Sequence, residues 1–128
     1  MTANNFPSRT LGWLAIAIGG VTLIGIVSLI LFFTFGSFFG TLNDLCIAFE
    51  AILSALLAWI LYPAYRALST RLSQFLLTAA LVGALVVSIG SAFVIFDITG
   101  WFLAGLMNFF GYALVGLWLL GLNYLPSE

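Results

Sequence analysis

The sequence predicts an all-α, polytopic membrane protein: a four-transmembrane-helix bundle made of two antiparallel hairpins. Charged residues make up only 5% of the 128 residues, whereas a soluble domain carries about 25%. Long uncharged runs separate these few charges, and the mean hydropathy is +1.28. So little charge cannot cover a water-soluble domain of this size. The composition therefore excludes a soluble enzyme, a nucleic-acid-binding protein and a disordered tail.

Four uncharged runs lie between charged residues and contain 34, 15, 25 and 30 residues. A bilayer core about 30 Å thick needs roughly 20 apolar residues of helix, so no run can hold two spans and a turn. The sequence therefore predicts four spans within one transmembrane domain that covers residues 1–128. The predicted spans are about residues 11–35, 42–62, 72–96 and 101–124.

The three arginines set the predicted orientation. With four spans, Arg9, Arg66 and Arg71 all fall on one side of the membrane, and cytoplasmic loops are enriched in basic residues. We therefore expect a multipass protein of the bacterial inner (plasma) membrane with both termini in the cytoplasm. A re-entrant segment over residues 51–62 is the alternative, but it would place Arg9 opposite the other two arginines.

Aromatic side chains near the predicted span ends agree with four spans, because Trp and Tyr concentrate at membrane interfaces. Trp101 and a phenylalanine cluster between residues 32 and 39 lie toward the outer ends. Toward the cytoplasmic ends lie Trp13, Trp59, Tyr62, Tyr65, Trp118 and Tyr124.

Two aspartates occur where the second and fourth spans are expected to begin. A carboxylate stabilises a helix N-terminus, where backbone N–H groups lack partners. We therefore expect Asp44 and Asp97 to cap the outer helix starts. A weak preference for cations at the outer mouth is the alternative role for this pair.

Glu50 is the one ionisable residue that the predicted spans place inside the membrane. It lies eight residues into the second span, about 12 Å from the outer end. A charged carboxylate there costs a few kcal/mol, so it needs a partner, a water-filled cavity or a proton. On a helical wheel Asn43, Glu50 and Ser54 fall within about 40° of one another. We expect this polar stripe to face the bundle.

Each of the other helices offers a polar side chain near the expected depth of Glu50, which predicts a buried polar cluster. Such a cluster either stabilises the bundle or lines a path for a proton, cation or small polar solute. The opposing interpretation is coincidence, because serine in a membrane helix can bond its own backbone. The predicted members are Glu50, Asn108, Ser88, Ser28, Ser54 and Tyr112.

A ridge of small residues occurs on the third span at four-residue spacing. Its members are Ala80, Ala84, Ser88 and Ala92. Small residues let a second helix backbone approach closely. The ridge therefore predicts a helix-packing surface, which would serve either the bundle interior or an oligomer interface.

Reactive side chains are scarce in this chain. It contains no His, no Lys and a single cysteine, Cys46. This composition offers no imidazole metal ligand, no nucleophile–base pair and no intramolecular disulfide. We therefore expect a protein that is not an enzyme, with no catalytic residue, no metal site and no cofactor.

Three strings carry a family resemblance: Leu42-Asn-Asp-Leu, Phe102-Leu-Ala-Gly-Leu and Gly111-Tyr-Ala-Leu-Val-Gly-Leu-Trp. In these strings and in its hydrophobic layout the chain resembles uncharacterised small four-helix bacterial integral membrane proteins. The resemblance implies the fold and no activity.

The expected function is that of an interaction or accessory subunit, or of a self-associating bundle. The expected partners are the lipid bilayer and a homo-oligomer or larger membrane complex, and no nucleic acid. The alternative is a small oligomeric transporter or channel for a proton, a cation or a small polar solute, in which Glu50 contacts the cargo.

Overall fold

Four long α-helices form the protein in a computed structural model that describes residues 8–124. In chain order they are α1 (Ser8–Phe35), α2 (Ser37–Arg66), α3 (Thr70–Ile95) and α4 (Trp101–Tyr124). Each is long and apolar enough to cross a membrane. The helices pack sequentially as an antiparallel bundle, which confirms the prediction of an all-α fold with four candidate spans.

Large apolar side chains cover the outside of every helix. Examples are Ile16 on α1, Phe49 on α2, Val82 on α3 and Phe109 on α4, all of which are exposed. Water would not tolerate so large an apolar surface on a monomer, whereas lipid tails solvate it. The exterior therefore suits a lipid bilayer.

A single glycine turns the chain from α1 into α2. Gly36 has φ 101° and ψ −162°, a backbone conformation that is essentially restricted to glycine. The Phe32 ring then lies against Gly40, where a Cβ would be 3.0 Å from it. Because one residue is enough for the turn, α2 begins at Ser37 and not near residue 42. Asp44 consequently lies two turns inside α2 and does not cap it, contrary to the prediction.

The connection from α3 to α4 ends α3 in a Schellman motif. Asp97 has φ 55°, its N–H donates to the Val94 carbonyl at 3.0 Å, and the Ile98 N–H donates to the Phe93 carbonyl at 2.8 Å. These two bonds satisfy the last carbonyls of α3. Asp97 therefore terminates α3 and does not cap α4, contrary to the prediction, because α4 begins four residues later at Trp101.

The closest helix contact joins α3 and α4 through glycines. A Cβ on Gly111 would lie 2.6 Å from the Gly83 carbonyl oxygen and 2.5 Å from Val87 Cγ2. The contact recurs seven residues farther along α3, where Gly90 lies against the side chain of Asn108. A seven-residue repeat is typical of helices that cross at a small angle. The backbones of α3 and α4 are thus in direct contact.

Two buried clusters fill the interior between α2, α3 and α4. The first contains Ala58, Leu76, Ala80, Val115 and Trp118. The second contains Ala51, Ala84 and Val87. Small residues on α2 and α3 leave room for Trp118, the largest side chain of the two clusters, which is 3% exposed. Trp118 therefore belongs to the core and not to the predicted interfacial belt, whereas Trp13, Trp59, Trp101 and Tyr124 are exposed.

The first helix packs on one neighbour. Its buried residues are Gly25 and Ser28, and both belong to the face that meets α2. No Cα atom of α1 comes within 8 Å of a Cα atom of α3 or α4. The bundle is therefore open along one side, whereas a closed four-helix bundle brings its first and last helices together.

The three arginines lie at one end of the bundle. Arg9 is in the first turn of α1, Arg66 ends α2 and Arg71 is in the first turn of α3, and all three are exposed. Asp97 lies at the opposite end. This arrangement follows from sequential antiparallel packing and gives the bundle one basic end.

Substitution Gly111→Ala tests the contact between α3 and α4. The new Cβ would meet backbone atoms of Gly83 and Val87, which cannot rotate away. We expect the free energy of unfolding to fall by about 1–3 kcal/mol, the usual cost of overpacking. Thermal unfolding in detergent micelles, followed by circular dichroism, measures the effect.

The matched control is Gly105→Ala on the same helix, where a Cβ would meet nothing within 4 Å. This variant should be neutral or slightly stabilised, because alanine is the better helix former. Equal losses in the two variants would contradict close contact at Gly111.

Candidate functional site

Glu50 lies at the middle of α2. It is the 14th of the 30 residues in this helix, which places it about 20 Å from the start at 1.5 Å per residue. The depth of Glu50 predicted from the sequence is smaller, because the predicted second span begins near residue 42 whereas α2 begins five residues earlier, at Ser37. The side chain is partly buried. A carboxylate at the centre of a span is costly unless something stabilises it.

One side of Glu50 faces α1. A Cβ on Gly25 would lie 3.2 Å from Cys46 Cβ and 3.7 Å from Asn43 Oδ1. Cys46, Asn43 and Glu50 share a face of α2 that is about 60° wide at 100° per residue. Because α1 and α2 are antiparallel, Thr22 of α1 lies near the level of Glu50, one turn below Gly25.

The other side of Glu50 faces α4. The Tyr112 hydroxyl donates a hydrogen bond to the Ile47 carbonyl of α2 at 3.1 Å. Ile47 precedes Glu50 by three residues, so the two lie about 60° apart on α2. Cys46 precedes Glu50 by four residues, so their side chains are neighbours on the surface of α2.

Because α1 and α4 both contact α2 but not each other, we infer a groove between them, and the helical wheel places Glu50 on its floor. We call it the α1–α4 groove. Its floor is the polar stripe of α2, and its walls are the facing sides of α1 and α4. Its defining residues are Asn43, Glu50 and Ser54 on the floor, with Thr22 and Tyr112 on the walls.

The opposite side of the α1–α2 pair differs in character. An open groove of about 330 Å³ runs there, lined by the α1 residues Leu23, Ile24, Val27, Ser28 and Leu31 and by the α2 residues Phe39 and Leu42. Thr22 lies about 160° around α1 from Ile24, which puts it on the α4 side. Glu50 therefore lies in the α1–α4 groove, whereas the 330 Å³ groove on the opposite side is lined mainly by apolar side chains.

The predicted polar cluster does not form around Glu50. The Ser28 hydroxyl donates to the Ile24 carbonyl at 2.7 Å, and the Ser88 hydroxyl donates to the Ala84 carbonyl at 2.8 Å. Each serine thus bonds its own helix. Both lie about 10 Å from the outer helix ends, whereas Glu50 lies about 20 Å from the start of α2.

Asn108 lies in the contact between α3 and α4. Its Oδ1 atom is buried without a hydrogen-bond partner in the described residues and is held against Gly90, where a Cβ would be 2.7 Å away. Ser54 is buried on α2, one turn beyond Glu50. Of the predicted cluster, Ser54 and Tyr112 are the members that lie near Glu50.

Two of the four ridge residues are interior. Ala80 and Ala84 are buried in the two core clusters, whereas Ser88 and Ala92 are partly exposed. A four-residue spacing drifts around a helix of 3.6 residues per turn, so a ridge with this spacing leaves the contact after a few turns. The contact with α4 follows the seven-residue spacing of Gly83 and Gly90.

The sequence reasoning missed Ser91, which is fully buried and whose hydroxyl has no partner among residues 8–124. The sequence signal for its burial is that Ser91 follows Ala84 by seven residues, which places both residues on the same face of α3. In the same part of the chain no group of three or more His, Cys, Asp or Glu side chains is placed to hold a metal ion.

Comparison of the chain with protein-family models, with curated proteins and with solved structures finds no match. The four long apolar helices are consistent with a small four-helix membrane protein, and no family is identified. The functional conclusions therefore rest on the geometry of the α1–α4 groove.

Substitution Tyr112→Phe tests the hydrogen bond between α4 and α2. It removes the hydroxyl that donates to the Ile47 carbonyl, which keeps its place in the α2 backbone ladder. We expect a loss of about 0.6–1.7 kcal/mol in unfolding free energy, as for other interhelical bonds in lipid. Unfolding in micelles measures it. Tyr124→Phe, at a residue that is 84% exposed, is the control and should leave stability unchanged.

Proposed function

We propose that this protein is a membrane-embedded interaction subunit that receives a transmembrane helix of a partner in its α1–α4 groove. The observation that carries the proposal is that α1 packs on α2 alone. This packing leaves the Glu50 carboxylate beside a groove that no other helix of the bundle fills. Accessory subunits work by such lateral association, and this role needs no reactive group.

The free energy of Glu50 favours an occupied groove. Among residues 8–124 the Glu50 carboxylate has no hydrogen-bond partner. An unpaired carboxylate against lipid tails costs a few kcal/mol. A polar group on a docked helix would stabilise the carboxylate and exclude lipid from it. Removing the free-energy cost of the unpaired carboxylate therefore contributes to the binding affinity for a partner helix.

The rest of the bundle supports a packing role. The interior between α2, α3 and α4 is filled by the two clusters, and α3 and α4 meet backbone to backbone at Gly83 and Gly111. That contact leaves no space for a solute path between these two helices. The chain also has no Lys and no His, which favours a role without catalysis.

The proposed location is the bacterial inner membrane with both termini in the cytoplasm. The basic end that carries Arg9, Arg66 and Arg71 supports this orientation, since basic residues are retained on the cytoplasmic side. The α1–α4 groove then opens sideways into the bilayer.

A small oligomeric transporter or channel is the second candidate, and the unpaired Glu50 carboxylate is the observation that favours it. In that case several copies would close their grooves around a shared path. Purified protein in liposomes would then conduct protons or cations, and Glu50→Gln would abolish the flux while the fold persists. Such a result would replace the interaction proposal.

Photo-cross-linking in intact membranes tests the interaction proposal. A benzophenone amino acid at Thr22 lies on the wall of the α1–α4 groove, whereas the same group at Val82, an exposed position on α3, faces lipid. We expect discrete protein adducts from position 22 and lipid adducts from position 82. An adduct of twice the chain mass identifies self-association. Lipid adducts from both positions would contradict the proposal.

A further inference from the structure

We infer that the helix received by the α1–α4 groove carries a basic side chain that pairs with Glu50. This inference rests on the proposed function and names the chemistry of the partner. Two independent observations carry it: the absence of any basic side chain near the level of Glu50 among residues 8–124, and the presence of glycines on both walls of the groove.

No basic residue of this protein can neutralise Glu50. The whole chain holds three arginines, no Lys and no His. Arg66, at the end of the same helix, is 16 residues away, about 24 Å along the axis. Arg9 and Arg71 lie at that same end of the bundle. An arginine side chain is far too short to cover this distance.

A second copy of the chain does not solve the problem. Glu50 is close to the midpoint of α2, so the arginine end of a neighbouring copy is about 20 Å away whether the copies are parallel or inverted. Two copies facing each other would instead bring two carboxylates together. Charge complementarity therefore selects a different chain, one with an ammonium or guanidinium group in the middle of a span.

Among the described residues, no side chain donates a hydrogen bond to the Glu50 carboxylate. The Tyr112 hydroxyl gives its proton to the Ile47 carbonyl. A Lys or Arg side chain would bring several N–H donors to the carboxylate, and hydrogen bonds of this charge-assisted kind are about twice as strong as neutral ones. A basic residue on the partner thus supplies both the charge and the protons that the groove lacks.

Two glycines lie on the wall that α4 presents to the groove. Gly105 and Gly116 lie within about 40° of Tyr112 on the helical wheel, on the side away from α3. A Cβ at either glycine would meet nothing within 4 Å. Both glycines therefore border open space, where a neighbouring backbone could approach closely.

The facing wall of α1 has the same character. Gly12, Ala15, Gly19 and Thr22 follow one another at three- and four-residue spacing, which keeps them on one side of the helix. A Cβ at Gly12 or Gly19 would meet nothing within 4 Å. Gly19 and Gly116 both lie within about one turn of the level of Glu50. Glycines on both walls near the Glu50 carboxylate leave room for a further helix to pack in the groove.

A host–guest experiment tests the inference. The purified full-length protein, labelled with a donor dye, is reconstituted in phosphatidylcholine vesicles with acceptor-labelled synthetic transmembrane peptides. The probe is a leucine-rich helix with one central Lys, and its matched controls carry Gln or Leu at that position. Energy transfer reports association. We expect the Lys peptide to bind about tenfold more tightly than the Leu peptide, an effect of the size that intramembrane charge pairs allow.

Variants of the protein locate the binding site. Glu50→Gln keeps the shape of the side chain and should abolish the Lys preference, whereas Asp97→Asn, at an exposed acid outside the groove, should retain it. Gly19→Leu should weaken Lys-peptide binding by filling one wall. Gly20→Leu is its control, because Gly20 lies about 100° away on α1 and also borders open space.

Each outcome decides the inference. Equal binding of the Lys and Leu peptides, or a Lys preference that survives Glu50→Gln, would overturn it. Energy transfer between labelled copies that disappears in Gly19→Leu but not in Gly20→Leu would show that a second copy fills the groove, and would also overturn it. If the Lys preference is absent but a photo-cross-linker at position 22 still forms protein adducts, the inference of a basic partner residue is wrong. The proposed function, binding of a partner helix in the groove, would then still hold.

Discussion

The backbone contact between Gly83 and Gly111 determines where α4 lies, and the rest of the arrangement depends on it. In lipid there is little hydrophobic force between helices, so close approach supplies the packing energy. Because α4 is drawn tightly onto α3, it reaches α2 through Tyr112 and does not approach α1. The consequence is an open side, and Glu50 faces it.

Among residues 8–124 no side chain forms a hydrogen bond with Glu50, and lipid tails cannot stabilise a carboxylate. Its helix places it at mid-span, where the energy cost of a lone carboxylate is greatest. The Tyr112 hydroxyl, which reaches α2 one turn before Glu50, donates its proton to the Ile47 carbonyl. A groove with small-residue walls and an unpaired acid on its floor has the features of a helix-binding site, in which the partner both fills the space and supplies the missing charge.

The sequence predicts the number, order and approximate extent of the helices because hydrophobic length and the positions of the charges determine them. It does not predict the helix register. The single-residue turn at Gly36 moves the start of α2 by five residues, which separates Glu50 from Ser28 and Ser88 and removes Asp44 from the helix terminus. Nor does the sequence predict that Gly83 rather than Ala80 leads the contact with α4, because small residues occur on several faces of α3 and only packing selects among them.

Disulfide cross-linking within one chain tests the open groove most directly. A disulfide requires Cα atoms within about 7 Å. Gly25→Cys should cross-link readily to the native Cys46, since its Cβ would lie 3.2 Å from Cys46 Cβ. In a Cys46→Ala background, Gly19→Cys together with Gly116→Cys should not cross-link, because no Cα of α1 lies within 8 Å of one in α4. Efficient intramolecular cross-linking of the second pair would contradict the open groove.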